Sequence, residues 1–327
     1  MSMSVKYIRV FTADGSDPYR NLAAEEAMLS AVGEEDLVLF LWQNADTIVI
    51  GRNQNPWAEC RVAPFLDQGG RIARRITGGG AVYHDQGNLN FSFVAQADNY
   101  DVRKQFDVIL GAAKSLGIEA SVSGRNDICA GERKFSGNAF YKSGISALHH
   151  GTILINGDAE KMKAYLTPNP AKLAKRSVAS VASRVVNLSE ISPEITVDHF
   201  KDALICSASE VYGVSAVRED LFSLPEEAFR KAWERQKSRV WIFGDSLQDF
   251  TEYRACFPEG LVSAQICFDG NTAEDAIVFT DALDVSFSSR CRSRILGKTK
   301  EELDAMGYSL WSPESDSGGT NEACPDL

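Results

Sequence analysis

Residues 71–94 read RIARRITGGGAVYHDQGNLNFSFV and contain three strand-like runs separated by two turns. The runs are rich in β-branched and aromatic residues, whereas the turns are Gly78-Gly79-Gly80 and the stretch from Asp85 to Asn88. Strands that follow one another without helices between them favour a mostly antiparallel or mixed sheet over a regular alternation of strands and helices.

The rest of the chain adds helices around such a sheet. Helical spacing is clear at Pro18–Val32 and Val102–Leu116, each followed by a glycine, and it dominates residues 159–237. In the first of these helices the apolar residues share one face, and Glu25 and Glu26 are expected outside that face. We therefore predict an α+β fold, with a mixed or antiparallel sheet flanked by helices.

The apolar runs Leu37–Trp42 and Thr47–Ile50 lie on either side of Asn44-Ala45-Asp46, which is a turn sequence. This arrangement predicts a β-hairpin. The first run is also far shorter than the roughly 18 apolar residues that a membrane-spanning helix needs. No membrane span is expected.

The pattern changes after Gly244, where two strand-like runs, Leu261–Phe268 and Ala276–Phe279, precede one short helix. We predict a large domain over residues 1–244 and a smaller α+β accessory domain over residues 245–311. The polar, glycine-containing sequence that follows predicts a disordered tail over residues 312–327.

The composition excludes several classes of protein. The 327 residues include 34 Lys and Arg against 45 Asp and Glu, which gives a net charge of −11. A duplex nucleic-acid binder usually carries a basic surplus, so no nucleic-acid partner is expected. The seven cysteines include no CxxC pair, and Lys6 and Arg9 interrupt the apolar residues at the start. Reduced thiols and the absence of a secretory signal predict a cytoplasmic protein.

The glycine turn is the strongest candidate for a ligand site. Three consecutive glycines let a ligand approach the backbone closely, and the N–H groups of such a turn can bind an anion. Arg74 and Arg75 precede the turn, and adjacent strand residues point to opposite faces, so at most one of them is expected to reach it. An arginine there can hold a phosphate through two hydrogen bonds. The alternative is a hairpin turn that is merely rich in glycine.

Lys134 is the second candidate, because it shares a strand face with Ser136 and Asn138 and can meet an anion there. A solvated surface lysine is the alternative. Asp127 can hold Mg²⁺ together with phosphate oxygens, or it is a turn aspartate after Asn126. His149 and His150 are neighbours on a strand, so one should face inward and the other outward.

Taken together, these segments resemble the lipoate–protein ligase family over about residues 5–290. Each motif is weak alone, but their order and spacing are specific. The motifs are LFLWQN (39–44), GRNQNPW (51–57), RR with GGGAVYHD (74–85), GRND (124–127), RKFSG (133–137), HHGT (149–152), KL (172–173) and SRV before NL (183–188).

The resemblance implies a catalytic domain over residues 1–244 of the biotin/lipoate ligase type, followed by the accessory domain. It also implies a two-step reaction that uses ATP with Mg²⁺. Free lipoate is first activated as lipoyl-AMP, and the lipoyl group is then transferred to a lysine of a lipoyl domain. The implied acceptors are 2-oxoacid dehydrogenase acyltransferases and the glycine-cleavage H protein.

The resemblance also implies roles for individual residues. Lys134 is expected to be the catalytic cation between the lipoate carboxylate and the α-phosphate. The expected ATP-binding residues are Arg75, Gly80, Ala81, Val82, Tyr83 and Lys134, with the backbone N–H groups of residues 80–83 facing the nucleotide. The expected lipoate-binding residues are Trp42, Arg75, His84, Lys134 and His150. Asn126 and Asp127 are expected near the metal.

Three other readings remain open at this stage. A Cys-dependent octanoyl or lipoyl transferase of the same fold would need an activated thiol, and Cys129 is the cysteine near Lys134 in sequence. A non-catalytic lipoate or adenylate sensor would keep the binding residues without the reaction. A biotin ligase is disfavoured, because its usual glycine–arginine loop is not visible.

A final expectation concerns the acceptor protein. Lipoyl domains are commonly acidic, so a ligase with a net charge of −11 needs a local basic surface to dock one. The basic residues in the stretch from residue 172 to residue 184 are the candidates for that surface: Lys172, Lys175, Arg176 and Arg184.

Overall fold

In the computed structural model, the described residues are 5–167, 185–244 and 250–307. The strands are β1 (Tyr7–Thr12), β2 (Asp36–Trp42), β3 (Thr47–Ile50), β4 (Arg71–Arg74), β5 (Val82–His84), β6 (Asn88–Gln96), β7 (Ala120–Ser123), β8 (Asp127–Ala130), β9 (Arg133–Ser143), β10 (Ser146–Leu154), β11 (Ala216–Glu219), β12 (Thr251–Phe257), β13 (Gly260–Asp269) and β14 (Thr272–Thr280).

The helices pack on the faces of the sheets or connect their strands. They are α1 (Pro18–Ala31), α2 (Pro56–Glu59), α3 (Val62–Asp67), α4 (Val102–Ser115), α5 (Ala159–Tyr165), α6 (Leu188–Ile191), α7 (Val197–Tyr212), α8 (Glu226–Lys237), α9 (Arg239–Phe243), α10 (Phe287–Ile295) and α11 (Lys300–Ala305). Among the described residues, no helix is long and apolar enough to cross a membrane.

The main sheet has eight strands in the order β11-β1-β2-β6-β10-β9-β8-β7. Strand β1 is parallel to both of its neighbours, and the other pairs are antiparallel. Helices α4 and α7 pack on one face, and α1 and α8 lie on the other. The predicted mixed sheet flanked by helices is therefore confirmed.

Strand β2 shows how the sequence places a site residue in this sheet. Leu37, Leu39 and Leu41 belong to the core with α4 and α7, whereas Phe40 and Trp42 belong to the core with α1. Both faces are apolar because both are covered by helices, as expected for a central strand. The alternation points Trp42 toward α1 and the glycine turn.

The predicted hairpin of Leu37–Trp42 and Thr47–Ile50 is wrong. Strand β2 is already paired on both edges, by β1 and by β6, so no edge is left for β3. Strand β3 instead lies between β4 and β5 in a separate three-stranded sheet. That small sheet carries the glycine turn between β4 and β5.

The C-terminal residues form a third sheet, β12-β13-β14, which shares an apolar core with α10 and α11. A segment that begins at the last residue of β14, which we call the strap (residues 280–285), contacts the large domain. The Gly79 N–H donates to the Ala282 carbonyl over 3.1 Å, and Asn53 binds the strap through its carbonyl (2.7 Å to the Thr280 N–H) and its side chain. The predicted domain boundary follows Gly244, which is the last described residue before the gap at residues 245–249, and the predicted tail over residues 312–327 lies outside the described residues.

Candidate active site

Arg75 shapes the glycine turn from inside the protein. Its guanidinium donates to the carbonyls of Gly78 (2.7 Å) and Gly80 (2.8 Å) and to the Thr77 hydroxyl (3.0 Å). The side chain is buried, and this burial lowers its pKa to about 10, so it stays cationic at neutral pH. These donors hold the turn itself, so the guanidinium has little capacity left for the expected bidentate phosphate contact, which stays a prediction.

Arg74 faces the other way, as the strand geometry predicts. Its guanidinium donates to the carbonyls of Gly51, Gln54 and Ile242 at 2.7 to 3.1 Å. Arg74 therefore ties β4 to α9, and of the two arginines only Arg75 reaches the turn.

A cavity lies between the glycine turn, the main sheet and the strap. Nine of the eleven predicted site residues line it: Trp42, Arg75, Gly80, Ala81, Val82, His84, Asn126, Lys134 and His150. Leu283 of the strap contributes to the wall, which sequence reasoning missed because the strap lies far away along the chain. The remaining lining residues are mostly from β6, β9 and β10.

Tyr83 and Asp127 are the two predicted residues outside this lining. The Tyr83 ring packs against Phe65, and its hydroxyl donates to Asp46 over 2.8 Å, so the side chain points away from the cavity. Asp127 is not part of the lining, but its Oδ1 is 2.6 Å from Nζ of Lys134, which is.

Lys134 contributes to the lining of the cavity. Its side chain is about one-third exposed, and a Cβ built on Gly137 would lie 3.0 Å from its Nζ. The glycine therefore leaves room for the amine above β9. The Lys134 carbonyl accepts a hydrogen bond from Val186, which anchors the chain directly after residues 168–184.

Asn126 is held beside Lys134 by reciprocal hydrogen bonds with Asn138. Each side-chain amide donates to the backbone carbonyl of the other over 3.0 Å. Among the described residues, no group of three or more His, Cys, Asp or Glu side chains could hold a metal ion. Asp127 nevertheless fits the usual Mg²⁺ arrangement, in which one or two carboxylates bind a cation that nucleotide phosphates also hold.

A buried hydrogen-bond chain fixes the inner wall of the cavity. Trp42 donates to Ser92 (3.0 Å), and Ser92 donates to Glu25 Oε2 (2.5 Å), which also accepts from His150 Nδ1 (2.7 Å). His150 Nε2 then meets the Thr77 hydroxyl at 2.8 Å, next to Arg75. The chain sets the orientation of both the tryptophan and the histidine.

Glu25 is the member of this chain that sequence reasoning missed. It was expected outside the apolar face of α1, yet it is 1% exposed. Its spacing from Leu22 and Leu29, at i−3 and i+4, puts it on the buried face. A carboxylate on the apolar face of a helix was the signal that could have identified Glu25, because a carboxylate is buried only where it has hydrogen-bond partners.

His149 points to the opposite face from His150, as predicted. It is buried among phenylalanine rings and hydrogen-bonds Asn138 (2.8 Å) and Gln105 (3.0 Å). Its burial lowers the pKa to about 3. The residue therefore supports the core and, through Asn138, the position of Asn126.

Cys129 does not have the character of a nucleophile. It is 8% exposed and does not line the cavity. Burial and the nearby Asp127 carboxylate raise the pKa of its thiol, which disfavours the reactive thiolate. The Cys-dependent transferase is not favoured.

The sequence of the large domain matches one family of known proteins. Residues 17–209 match the lipoyl protein ligase A/B catalytic domain. The chain belongs to this family. The resemblance inferred from the motifs is thereby confirmed.

Individual members of the lipoyl protein ligase family resemble the chain over most of its length. Lipoate-protein ligase A of Bdellovibrio bacteriovorus is 37% identical over 285 residues, which cover 84% of each chain. The crystal structure of P. falciparum LipL1 in complex with lipoate has a TM-score of 0.78 at 30% identity, and covers 91% of this chain and 93% of that one. A lipoate-protein ligase A bound with ATP has a TM-score of 0.64 at 26% identity, and covers 73% and 99%.

Proposed function

We propose that the chain is an ATP-dependent lipoate–protein ligase, which activates lipoate as lipoyl-AMP and transfers the lipoyl group to a protein lysine. The observation that carries the proposal is the position of Lys134. Its amine enters a cavity that has the glycine turn on one side and the apolar Trp42 wall on the other. Family membership, and the similarity to proteins solved with lipoate and with ATP, support the same function.

Lys134 has an electrostatic task in this reaction. A lipoate carboxylate oxygen attacks the α-phosphorus of ATP, pyrophosphate leaves, and a mixed anhydride with AMP remains. Two anions must come into contact for this step, and the ammonium group of Lys134 offsets their repulsion in a partly dry cavity. In the second step the acceptor amine attacks the carbonyl carbon, loses a proton and displaces AMP.

The glycine turn would bind the nucleotide through its backbone. Arg75 holds the carbonyls of the turn on the inside, which leaves the outer side of Gly80, Ala81 and Val82 to the cavity. Backbone N–H groups in such a turn suit an anion. Because Arg75 is engaged in shaping the turn, its contribution to binding ATP or lipoate is indirect.

Asp127 would hold Mg²⁺ together with the phosphates of ATP, with Asn126 beside it. The cation supplies charge neutralisation of the phosphates when it is bound. Asp127 pairs with Lys134 at 2.6 Å, so its attraction to a cation would also release the amine toward the cavity.

We further propose that the acceptors are lipoyl domains of 2-oxoacid dehydrogenase acyltransferases and the glycine-cleavage H protein. A cytoplasmic location and the absence of a nucleic-acid or membrane partner remain predictions from composition. The basic residues proposed to dock the acceptor, Lys172, Lys175, Arg176 and Arg184, lie outside the described residues.

Exchange of labelled pyrophosphate into ATP tests the proposal directly. The wild type should catalyse exchange with lipoate, and Lys134→Ala should lower the rate by at least about 100-fold, the scale of losing one electrostatic stabiliser of a transition state. Lys142→Ala, at the far end of β9, is the matched lysine control and should exchange at the wild-type rate.

Two outcomes would favour the other readings. Lipoate binding without any exchange would indicate a sensor. Transfer activity that is independent of ATP and abolished by thiol alkylation would indicate a Cys-dependent transferase, whereas a ligase should survive alkylation.

A further inference from the structure

Two hydrogen-bond donors at the inner end of the cavity have no partner among the described residues. They are His84 Nε2 and Asn90 Nδ2. Both residues line the cavity, and they are only 3% and 1% exposed. Leaving a buried donor without an acceptor is unfavourable, so this pair calls for an acceptor that arrives with the ligand.

The surrounding amides fix which nitrogen of His84 carries the hydrogen. Asn21 Nδ2 donates to the Gln43 carbonyl (2.9 Å) and to Asn44 Oδ1 (3.1 Å). The Asn44 amide therefore turns its Nδ2 toward His84 Nδ1, at 3.2 Å. Nδ1 accepts that hydrogen bond, and Nε2 is the protonated nitrogen that remains unpaired.

His84 also stays neutral at physiological pH. Burial, with smaller contributions from Arg75 and His150, lowers its pKa to about 3. The ring therefore offers one neutral N–H beside Trp42, whose ring is 6.2 Å away edge-on. A neutral hydrogen-bond donor in an apolar pocket attracts a carboxylate only weakly, so we do not expect the carboxylate of the substrate to bind at His84.

Strand register gives the distance from this donor pair to Lys134. Trp42 pairs with Asn90, Asn90 with Thr152, and Gly137 with Asp127, and the Gly137 N–H donates to the Thr152 hydroxyl. These residues form a row across the sheet. Neighbouring strands lie about 4.8 Å apart, so Asn90 is about 10 Å from Gly137, above which Lys134 Nζ lies.

The length of lipoate matches this distance. Its ring begins five bonds from the carboxyl carbon and ends two bonds farther on, which is about 6–8 Å at the roughly 1.2 Å per bond of an extended chain. A charge-assisted hydrogen bond to Lys134 adds about 2.8 Å. With its carboxylate at Lys134, the substrate therefore places its dithiolane ring beside Asn90 and His84.

We propose that His84 and Asn90 recognise the ring sulfur atoms of lipoate by donating weak N–H···S hydrogen bonds, and so select a dithiolane over a purely hydrocarbon acyl chain. The proposal rests on the function proposed above. Divalent sulfur is a weak hydrogen-bond acceptor. A hydrocarbon ring, however, would leave both donors buried with no acceptor at all. The saturated tail of octanoate offers no acceptor at this position.

The test compares lipoate with 5-cyclopentylpentanoate, which keeps the ring and the chain but has no sulfur. The wild type should prefer lipoate by about 10-fold in kcat/KM for pyrophosphate exchange, which corresponds to about 0.7 kcal/mol for each of the two hydrogen bonds. Asn90→Leu and His84→Phe remove one donor each at similar volume, and each should bring the preference below about 3-fold. Val49→Ala, which changes an apolar part of the lining, should leave the ratio of the two acids at its wild-type value.

Equal kcat/KM for both acids in the wild type would overturn the proposal, and this result needs no variant to fold. An unaltered ratio in both donor variants would overturn it as well. If neither acid supports exchange, the proposed function fails instead. Calorimetric binding of the two acids to the wild type then decides on sulfur recognition separately.

Discussion

At the scale of single residues, buried histidines couple the stability of the protein to pH. His84 and His149 have a pKa of about 3 in the folded protein, against an ordinary value of 6.5. Between these values the unfolded chain binds protons that the folded chain does not. The two residues therefore destabilise the fold progressively as the pH falls below about 6.5.

The expected size of this effect is about 3 kcal/mol of unfolding free energy lost between pH 7.5 and pH 5.5, from both histidines together. Urea denaturation at the two pH values measures it. His149→Gln should be less stable than the wild type at pH 7.5, but its loss on acidification should be smaller by about 1.4 kcal/mol. A loss as large as that of the wild type would show that His149 is protonated in the folded state.

The residue scale also shows what a pattern can predict. Lys134 and the glycine turn were found because local motifs carry them, and the opposite directions of Arg74 and Arg75 follow from strand geometry alone. The hydrogen bonds that the Arg75 guanidinium donates to the carbonyls of Gly78 and Gly80 could not be predicted from the sequence. It depends on how tightly the turn folds back over the side chain.

At the scale of elements, the contact between the glycine turn and the strap is tight. A Cβ at Gly78 would lie 2.1 Å from the Ala282 carbonyl oxygen and 2.5 Å from that of Leu283. These atoms belong to backbone and cannot move independently of the strap. Gly78→Ala should therefore displace the strap and remove the Leu283 wall from the cavity.

We expect Gly78→Ala to lower kcat/KM for pyrophosphate exchange by at least about 10-fold, the scale of a misplaced active-site wall. Gly15→Ala is the matched control, because a Cβ there meets nothing within 4 Å. Steady-state exchange at varied ATP and lipoate concentrations makes the comparison. Equal activity of the two variants would mean that the strap does not contribute to the cavity.

Elements were predicted well where one strand or helix carries its own pattern, as at Pro18–Ala31 and Val102–Ser115. The pairing of strands was harder to predict, because it depends on which strand edges are free. The expected hairpin failed since β1 and β6 occupy both edges of β2, and β1 is brought there by a parallel pairing. Short strands such as the four-residue β11 carry too few alternating residues to stand out, and β11 falls inside the stretch predicted as helical.

At the scale of the whole molecule, the net charge of −11 opposes an acidic acceptor. If a local basic surface docks the lipoyl domain, added salt should weaken that attraction. We expect lipoyl transfer to slow several-fold between about 50 and 300 mM salt, a range over which the Debye length falls by roughly half. Adenylation should change less, because its charges lie inside a cavity.

Single-turnover transfer from preformed lipoyl-AMP measures the effect of salt on lipoyl transfer, and pyrophosphate exchange measures its effect on adenylation. Reversing Lys172 and Lys175 to glutamate should slow transfer and spare exchange. Faster transfer at high salt would instead show that overall repulsion dominates docking and that no such surface exists.

The row of residues from Gly137 to Trp42 also limits the length of the fatty-acid substrate that fits along the sheet. One end is set by the Lys134 amine and the other by a tryptophan that Ser92 and Glu25 lock in place. The spacing between strands is a property of the backbone, so side-chain adjustment cannot stretch it. In the proposed binding mode, a shorter fatty acid leaves the far end empty, and a longer one meets the indole ring of Trp42 before its carboxylate reaches Lys134.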